Sequence, residues 1–356
     1  MILTQEEKKQ YNRHLILNTI GEEGQLKLKK AKVLVIGAGG LGCPILQYLT
    51  AAGVGKIGII DDDIIEQSNL QRQILFTVDD IGKPKVAMAA AKLSRLNPFV
   101  KFETYYNRLN TENVLELFKK YDIIVDGSDN FSTRYLVNDA SVITNKPVVF
   151  GSIFKFEGQV SVFNYNNGPT YRCLYPNPPK PTDVPNCSEI GVLGVLPAII
   201  GSIQATEVIK IICNIGCVLS GQLLIYDALG MQQTKLNFAK NMSNEISKLE
   251  DNYEVFCGFS EAVVEIDFKE FNKHKETYNL LDVRSYLERS NFHIGGIHIP
   301  LNELENRLNE VPKNKPLLVY CKSGIRSKQA IEIIKNSNSK MLLYSLKNGL
   351  GTYTSE

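Results

Sequence analysis

Cys321 lies in the run Tyr320-Cys321-Lys322-Ser323-Gly324-Ile325-Arg326-Ser327. An apolar strand, Leu317–Tyr320, leads into it and a helical pattern follows. A loop of this kind aims several backbone N–H groups at one point, and the helix N-terminus behind it favours negative charge. Lys322 and Arg326 add positive charge. Together these favour a thiolate, and later a persulfide, at Cys321. A second thiol, Cys187, stands in Asn186-Cys187-Ser188-Glu189, just after a proline-rich run and before a helical pattern. A helix N-terminus lowers a thiol pKa, which fits a redox or covalent role; an inert loop thiol is the other reading.

A different chemistry is written earlier in the chain. Gly37-Ala38-Gly39-Gly40-Leu41-Gly42 follows the strand Lys32–Ile36 and opens a helix. Glycines there permit a tight turn and close approach of backbone to phosphate. About twenty residues on, a second strand ends in Asp61-Asp62-Asp63, where a carboxylate can bind a ribose hydroxyl. Alone, this fits a dehydrogenase equally well, or a plain glycine turn. Ser68-Asn69-Leu70-Gln71-Arg72-Gln73 and Gly82-Lys83-Pro84-Lys85 then place Arg72 and Lys85 near the nucleotide. A triphosphate needs that neutralisation more than a dinucleotide does. Asp126-Gly127-Ser128-Asp129-Asn130 follows another strand, so Asp129 sits at the ligand edge as a candidate Mg²⁺ ligand. Asp63, Ser68, Asn69 and Asn130 join the nucleotide-contacting set.

The elements that position these residues read as α/β. A helical lead-in over 11–30 precedes the strands Lys32–Ile36 and Lys56–Ile60; further strands are expected at 121–125 and 147–150. The alternating Gln159–Phe163 reads as antiparallel. This predicts a Rossmann-like, doubly wound, mostly parallel sheet. The prolines between Pro176 and Pro185 predict a long exposed loop. A polar stretch then separates a smaller α/β pattern, with strands at 263–266, 278–281 and 317–320. The expected domains are 1–245 for nucleotide chemistry, a linker over 246–262, and 263–356 for the thiol.

The glycine loop, Asp61, SNLQRQ, the Gly82–Lys85 run and DGSDN, with Tyr11-Asn12-Arg13 and Glu157-Gly158-Gln159, closely resemble the MoeB/ThiF family of ubiquitin-like-protein activators over roughly residues 5–237. The resemblance implies ATP held by Gly37, Gly39, Gly40, Gly42 and Asp61, with Arg72, Lys85 and Asp129 handling phosphates and Mg²⁺. It implies a homodimer in which Arg13 reaches the ATP of the other subunit; read from sequence alone, Arg13 and Arg72 also suit surface ion pairs. The Cys321 loop, with Leu281-Asp282-Val283-Arg284 and His293–Leu301, looks like a rhodanese domain over about 263–356. Asp282 and Arg284 brace the loop on that reading, His293 and His298 bond backbone, and Tyr353 stands where such domains often carry Trp. The implied activity is adenylation of the C-terminal glycine of a small ubiquitin-like sulfur-carrier protein of the MoaD or ThiS kind, ending in Gly-Gly. Sulfur then comes from a Cys321 persulfide charged by a cysteine desulfurase or thiosulfate, and Cys187 resolves the acyl-disulfide. The alternatives are an activator of another substrate, a nicotinamide-dependent oxidoreductase and a binding scaffold.

Family members commonly hold structural zinc with two Cys-x-x-Cys pairs. Here Cys173 and Cys257 remain, with Pro176 and Glu254 at the paired positions, so the zinc site is expected to be lost. Cys43, Cys213 and Cys217 are expected as core filler. Lys+Arg of 40 against Asp+Glu of 38 gives no support for a nucleic-acid or membrane partner. The polar start, Met1–Gln10, does not read as a signal peptide, and a cytoplasmic protein is expected. Val192–Ile215 is the most apolar stretch, but Gln204, Glu207 and Lys210 make it a buried or half-buried helix.

Overall fold

The computed structural model describes residues 2–179, 191–241, 246–258, 263–337 and 341–351. The chain divides into two compact units between Phe259 and Ser260.

The first unit is built on eight strands: β1 (Lys32–Ile36), β2 (Lys56–Ile60), β3 (Lys101–Tyr105), β4 (Ile123–Asp126), β5 (Val148–Phe154), β6 (Glu157–Phe163), β7 (Gln222–Asp227) and β8 (Gln232–Asn237). Their order is β3-β2-β1-β4-β5-β6-β7-β8. The first five run parallel and the last three pairings are antiparallel. The central strands are apolar on both faces because helices cover both. Val33 and Val35 of β1 join one buried cluster, and Leu34 and Ile36 the other. The chain turns one way after β1 and the other way at β4. Ligands bind at such a switch point, outside the strands' carboxyl ends.

One described helix, Leu196–Cys213, is long and apolar enough to cross a membrane by length and composition. It instead packs against the helix Gly42–Ala52 and strands β5 and β6. Two of its polar residues are buried and bonded: Gln204 donates to the carbonyls of Asp126 and Val149, and Glu207 accepts from Leu219 N–H and pairs with Lys210.

The polar stretch expected to be a linker departs from that reading over 246–258. Its short helix, Tyr253–Phe256, docks on the helix Phe131–Thr144. Tyr253 and Cys257 are buried in the core. The Tyr253 hydroxyl donates to Asp139 at 2.6 Å, and Asp139 also takes a two-pronged contact from Arg172. A few aromatic side chains thus anchor a segment whose average composition is polar.

The second unit has five parallel strands: β9 (Val264–Ile266), β10 (Asn279–Asp282), β11 (Ile297–His298), β12 (Leu317–Tyr320) and β13 (Leu343–Leu346), in the order β11-β10-β12-β13-β9. Its central strand β12 is buried throughout and runs straight into Cys321.

Candidate active sites

At the switch point of the first sheet lies a cavity of about 670 Å³. The glycine turn forms one wall. Gly37 has φ of 85°, in the left-handed region that glycine tolerates. A Cβ on Gly42 would lie 2.0 Å from the Gly37 carbonyl oxygen, so no side chain fits there. Asp61 closes the turn from β2. One carboxylate oxygen accepts the Ala38 N–H at 2.7 Å and the other the Asp63 N–H at 2.8 Å. Burial raises its pKa, and Lys85 pulls the other way. Asp63 in turn pairs with Lys85 at 2.7 Å, a lysine only 5% exposed at the start of the helix Lys85–Leu96.

Ser68 and Asn69 form a short 3₁₀ turn in which the Asn69 side chain accepts the Glu66 N–H. That turn presents Arg72, whose guanidinium donates to the Ser68 carbonyl at 3.1 Å. Across the cavity, Asn130 caps the helix Phe131–Thr144 by accepting the Thr133 N–H at 2.9 Å. Asp129 lines the cavity at the same helix start.

Most residues expected at the nucleotide site therefore meet in one cavity: Gly37, Gly39, Gly40, Asp61, Asp63, Ser68, Asn69, Arg72, Lys85, Asp129 and Asn130 all line it. Gly42 packs behind the turn. Arg13 lines a separate concavity with Tyr11, His14 and Tyr48, away from its own chain's nucleotide cavity. Gln73 and Ser128, within the motifs, also line the cavity, and so do Arg134 and Lys155, which lie outside every motif. Arg134 carries most weight. It lies over the Phe131 and Phe150 rings, donates to the Ser128 carbonyl at 3.4 Å, and has a buried Nε without a hydrogen-bond partner. It falls four residues after Asn130, one helical turn on, which places it on the same face; that spacing was the available signal.

Asp129 and the Asp61–Asp63 carboxylates are hard oxygen donors of the type Mg²⁺ takes. The three aspartates form the one described cluster whose ligand atoms all lie within 4.8 Å of one another. Zinc fares differently. The Cys173 sulfur accepts the N–H groups of Thr170 and Asn241, each at 3.3 Å. Burial pushes the Cys257 thiol up to about 12. Glu254, in the position of a missing cysteine, pairs with Arg108. Two thiols, with an ion-paired Glu254 where a third would stand, do not make the four-ligand set of a tetrahedral zinc site. Cys43 and Cys213 are buried, as expected of core filler, but Cys217 is exposed, because it follows the end of the apolar helix. Cys187 lies outside the described residues, as does Tyr353.

In the second unit, Cys321 leaves β12 fully buried, at 0% exposure. The Gly324 N–H donates to its sulfur at 3.1 Å, with Gly324 at φ of 88°. The loop is fastened from behind by Leu350 N–H to the Cys321 carbonyl and Gly351 N–H to the Lys322 carbonyl. Arg326 is gripped by Glu288 through bonds of 2.7 and 2.6 Å, and this holds the Glu288 carboxyl down at about 2. Asp282 and Arg284 form a buried two-pronged pair, and Arg284 also donates to the Phe292 carbonyl. His298 meets the Arg284 carbonyl at 2.8 Å, and His293 accepts the Gly295 N–H. The Asp282–Arg284 pair thus ties the end of β10 to the Phe292 carbonyl, and both histidine rings meet backbone.

Two reactive centres, a cation-lined nucleotide cavity and a thiol in an amide-lined loop, on two units of one chain mark an enzyme that activates a group with a nucleotide and works on it with a thiol. The chain belongs to the ThiF family, whose model matches residues 11–247, and a rhodanese-like domain model matches residues 267–356. It is 43% identical over 354 residues to the probable adenylyltransferase/sulfurtransferase MoeZ of Mycobacterium tuberculosis, covering 94% of this chain and 90% of that one. It is 50% identical over 266 residues to the sulfur carrier protein adenylyltransferase of Thermus thermophilus, covering 72% of this chain and 98% of that one. The adenylyltransferase and sulfurtransferase MOCS3 of Sus scrofa is 39% identical over 374 residues, covering 94% and 82%. Among solved structures, E. coli MccB with ATP superposes with a TM-score of 0.60 at 22% identity, covering 68% of this chain and 75% of that one, a likeness of fold.

Proposed function

We propose that the first unit adenylates the C-terminal carboxylate of a small sulfur-carrier protein ending in Gly-Gly, and that the second delivers sulfur to it from Cys321. The observation that carries this reading is the rim of the nucleotide cavity. Phe154 and Lys155 line the cavity, and beside them Phe156, Leu193, Leu229 and Met231 are exposed. Backbone bonds tie the three segments into one shelf: Leu193 N–H to the Lys155 carbonyl and Ala228 N–H to the Phe156 carbonyl. An apolar shelf at the mouth of a charged cavity suits a protein substrate that feeds its tail inward.

In the reaction, the tail carboxylate oxygen attacks the α-phosphorus of ATP and pyrophosphate leaves. The chain supplies positioning and positive charge rather than a nucleophile. Arg72, Lys85 and Arg134, which line the cavity, would neutralise the phosphates, and Asp61 fixes the glycine turn. Magnesium, when bound, neutralises phosphate charge, and Asp129 is the residue to hold it. A second copy of the chain would bring Arg13 to this cavity. The terminal sulfur of a Cys321 persulfide then attacks the acyl carbon and AMP leaves. A thiol, Cys187 in this reading, attacks the Cys321 sulfur of the acyl-disulfide. The carrier departs as a thiocarboxylate, and the Cys321–Cys187 disulfide is reduced by external thiols. The persulfide sulfur comes from a cysteine desulfurase or thiosulfate, in the reducing cytoplasm.

ATP–pyrophosphate exchange with one MoaD-like and one ThiS-like carrier tests the first step. Exchange that depends on one of them supports the reading and names the carrier; ATP binding without exchange from either overturns it. Thiocarboxylate formed by Cys321→Ala as fast as by the parent would remove the second step.

A further inference from the structure

Cys321, Ser327 and Ser345 are all fully buried, and their side chains form a chain of contacts. The Cys321 sulfur lies 3.7 Å from the Ser327 hydroxyl oxygen, which lies 2.8 Å from that of Ser345. Ser327 comes from the first turn of the helix Ile325–Ser337, and Ser345 from β13, next to the strand that carries Cys321. Each hydroxyl has a single proton to give. Ser327 donates its proton to the Gly324 carbonyl at 2.9 Å. With that proton committed, Ser327 accepts from Ser345 on one side and from the Cys321 thiol on the other.

Deprotonation of Cys321 changes this arrangement. The sulfur becomes an acceptor, and the Ser327 proton can turn to it. The Gly324 carbonyl is not orphaned by that turn, because the Lys328 N–H also donates to it at 3.4 Å. Ser345 donates to Ser327 in both states, so it holds the oxygen in place while the proton swings.

The surrounding charges leave the hydroxyl something to do. Arg326 is committed to Glu288, and Arg284 and Arg289 both face Asp282. Arg326 still acts on Cys321 through its charge, and exposed Lys322 is the next residue, but the groups that reach the sulfur itself are neutral: the Gly324 N–H at 3.1 Å and the Ser327 hydroxyl at 3.7 Å, in front of the helix start. We propose that Ser327, held by Ser345, is a positioning residue for sulfur transfer, a hydroxyl that switches from the Gly324 carbonyl to the Cys321 sulfur when the thiol ionises. Its bearing on turnover rests on Cys321 carrying the sulfur; the contact itself does not.

The test is alkylation of the full chain by iodoacetamide across the thiol titration range, with the Cys321 peptide quantified by mass spectrometry. In Ser327→Ala the pH of half-maximal alkylation rises by about one unit, while the plateau rate at high pH is kept. Ser345→Ala shifts the midpoint the same way by less. An unchanged midpoint in both variants overturns the proposal, and so does a uniform slowing at every pH, which is what a purely structural role gives. If Ser327→Ala fails to fold by thermal melt, the Ser345→Ala midpoint alone decides. Failure of the functional reading shows separately, as thiocarboxylate formation that survives Cys321→Ala.

Discussion

Asp61 accepts the Ala38 N–H on one carboxylate oxygen and the Asp63 N–H on the other, at 2.7 and 2.8 Å. The residue expected to touch the ribose is thus first a clasp between the end of β2 and the glycine turn after β1. An asparagine keeps the shape but sets an NH₂ against one of the two N–H donors. Asp61→Asn is expected to weaken ATP binding roughly 10- to 100-fold, as read by calorimetry. Unchanged affinity would mean that the clasp does not shape the turn.

Gly42→Ala tests the turn from the other side. Its new Cβ would meet the Gly37 carbonyl oxygen at 2.0 Å. Backbone must move, at about 1–3 kcal/mol of stability, and the movement is at the cavity wall. The expected outcome is a lowered first-unit melting temperature together with lost ATP binding. A variant that melts and binds like the parent would rule this packing out.

Arg134→Ala removes a cavity-lining cation whose Nε has no hydrogen-bond partner. If the guanidinium meets charge that develops at the phosphates, carrier-dependent pyrophosphate exchange falls by roughly 10²–10³ in kcat. A rise in KM alone, with kcat kept, would assign Arg134 to ground-state binding.

The second unit carries a pH signature in Glu288. Its carboxyl sits at about 2 in the fold, lowered chiefly by Arg326, against an ordinary value of 4.5. A lowered carboxylate pKa gives stability that is present above the ordinary value and lost as pH falls from there toward about 2. Acid melts of the parent should lose second-unit stability across that window, and Glu288→Gln should flatten the loss. The pair is partly exposed, so the effect is modest and shrinks in high salt.

The sequence was most legible where several constraints coincide. Strand, glycine turn, acidic strand end and cations recur in fixed order, and the cavity gathers them. It was least legible at the edges. β3, Lys-Phe-Glu-Thr-Tyr, is exposed along most of its length, and every residue of β8 is exposed, so neither carries the burial pattern that marks a strand. β11 is two residues long. Arg134 hid in a helix that sequence reading left unassigned. The segment around Tyr253 reads as a linker because buried Tyr253 and Cys257 do not change the average of a polar stretch. The partner of Arg326, Glu288, lies 38 residues away, beyond any local spacing rule.

The burial of the remaining thiols has a consequence for selectivity. A protein that holds mobile sulfur on one cysteine risks losing it to any other ionised cysteine within reach. Burial pushes Cys43 and Cys257 up to about 12 and raises Cys213, so these three stay protonated and silent toward a persulfide. Cys217 has no such cover. Among the described thiols, misplaced sulfur in an overcharged sample would therefore collect on exposed Cys217 and half-buried Cys173, and the packing of the core serves as a quarantine for the other three.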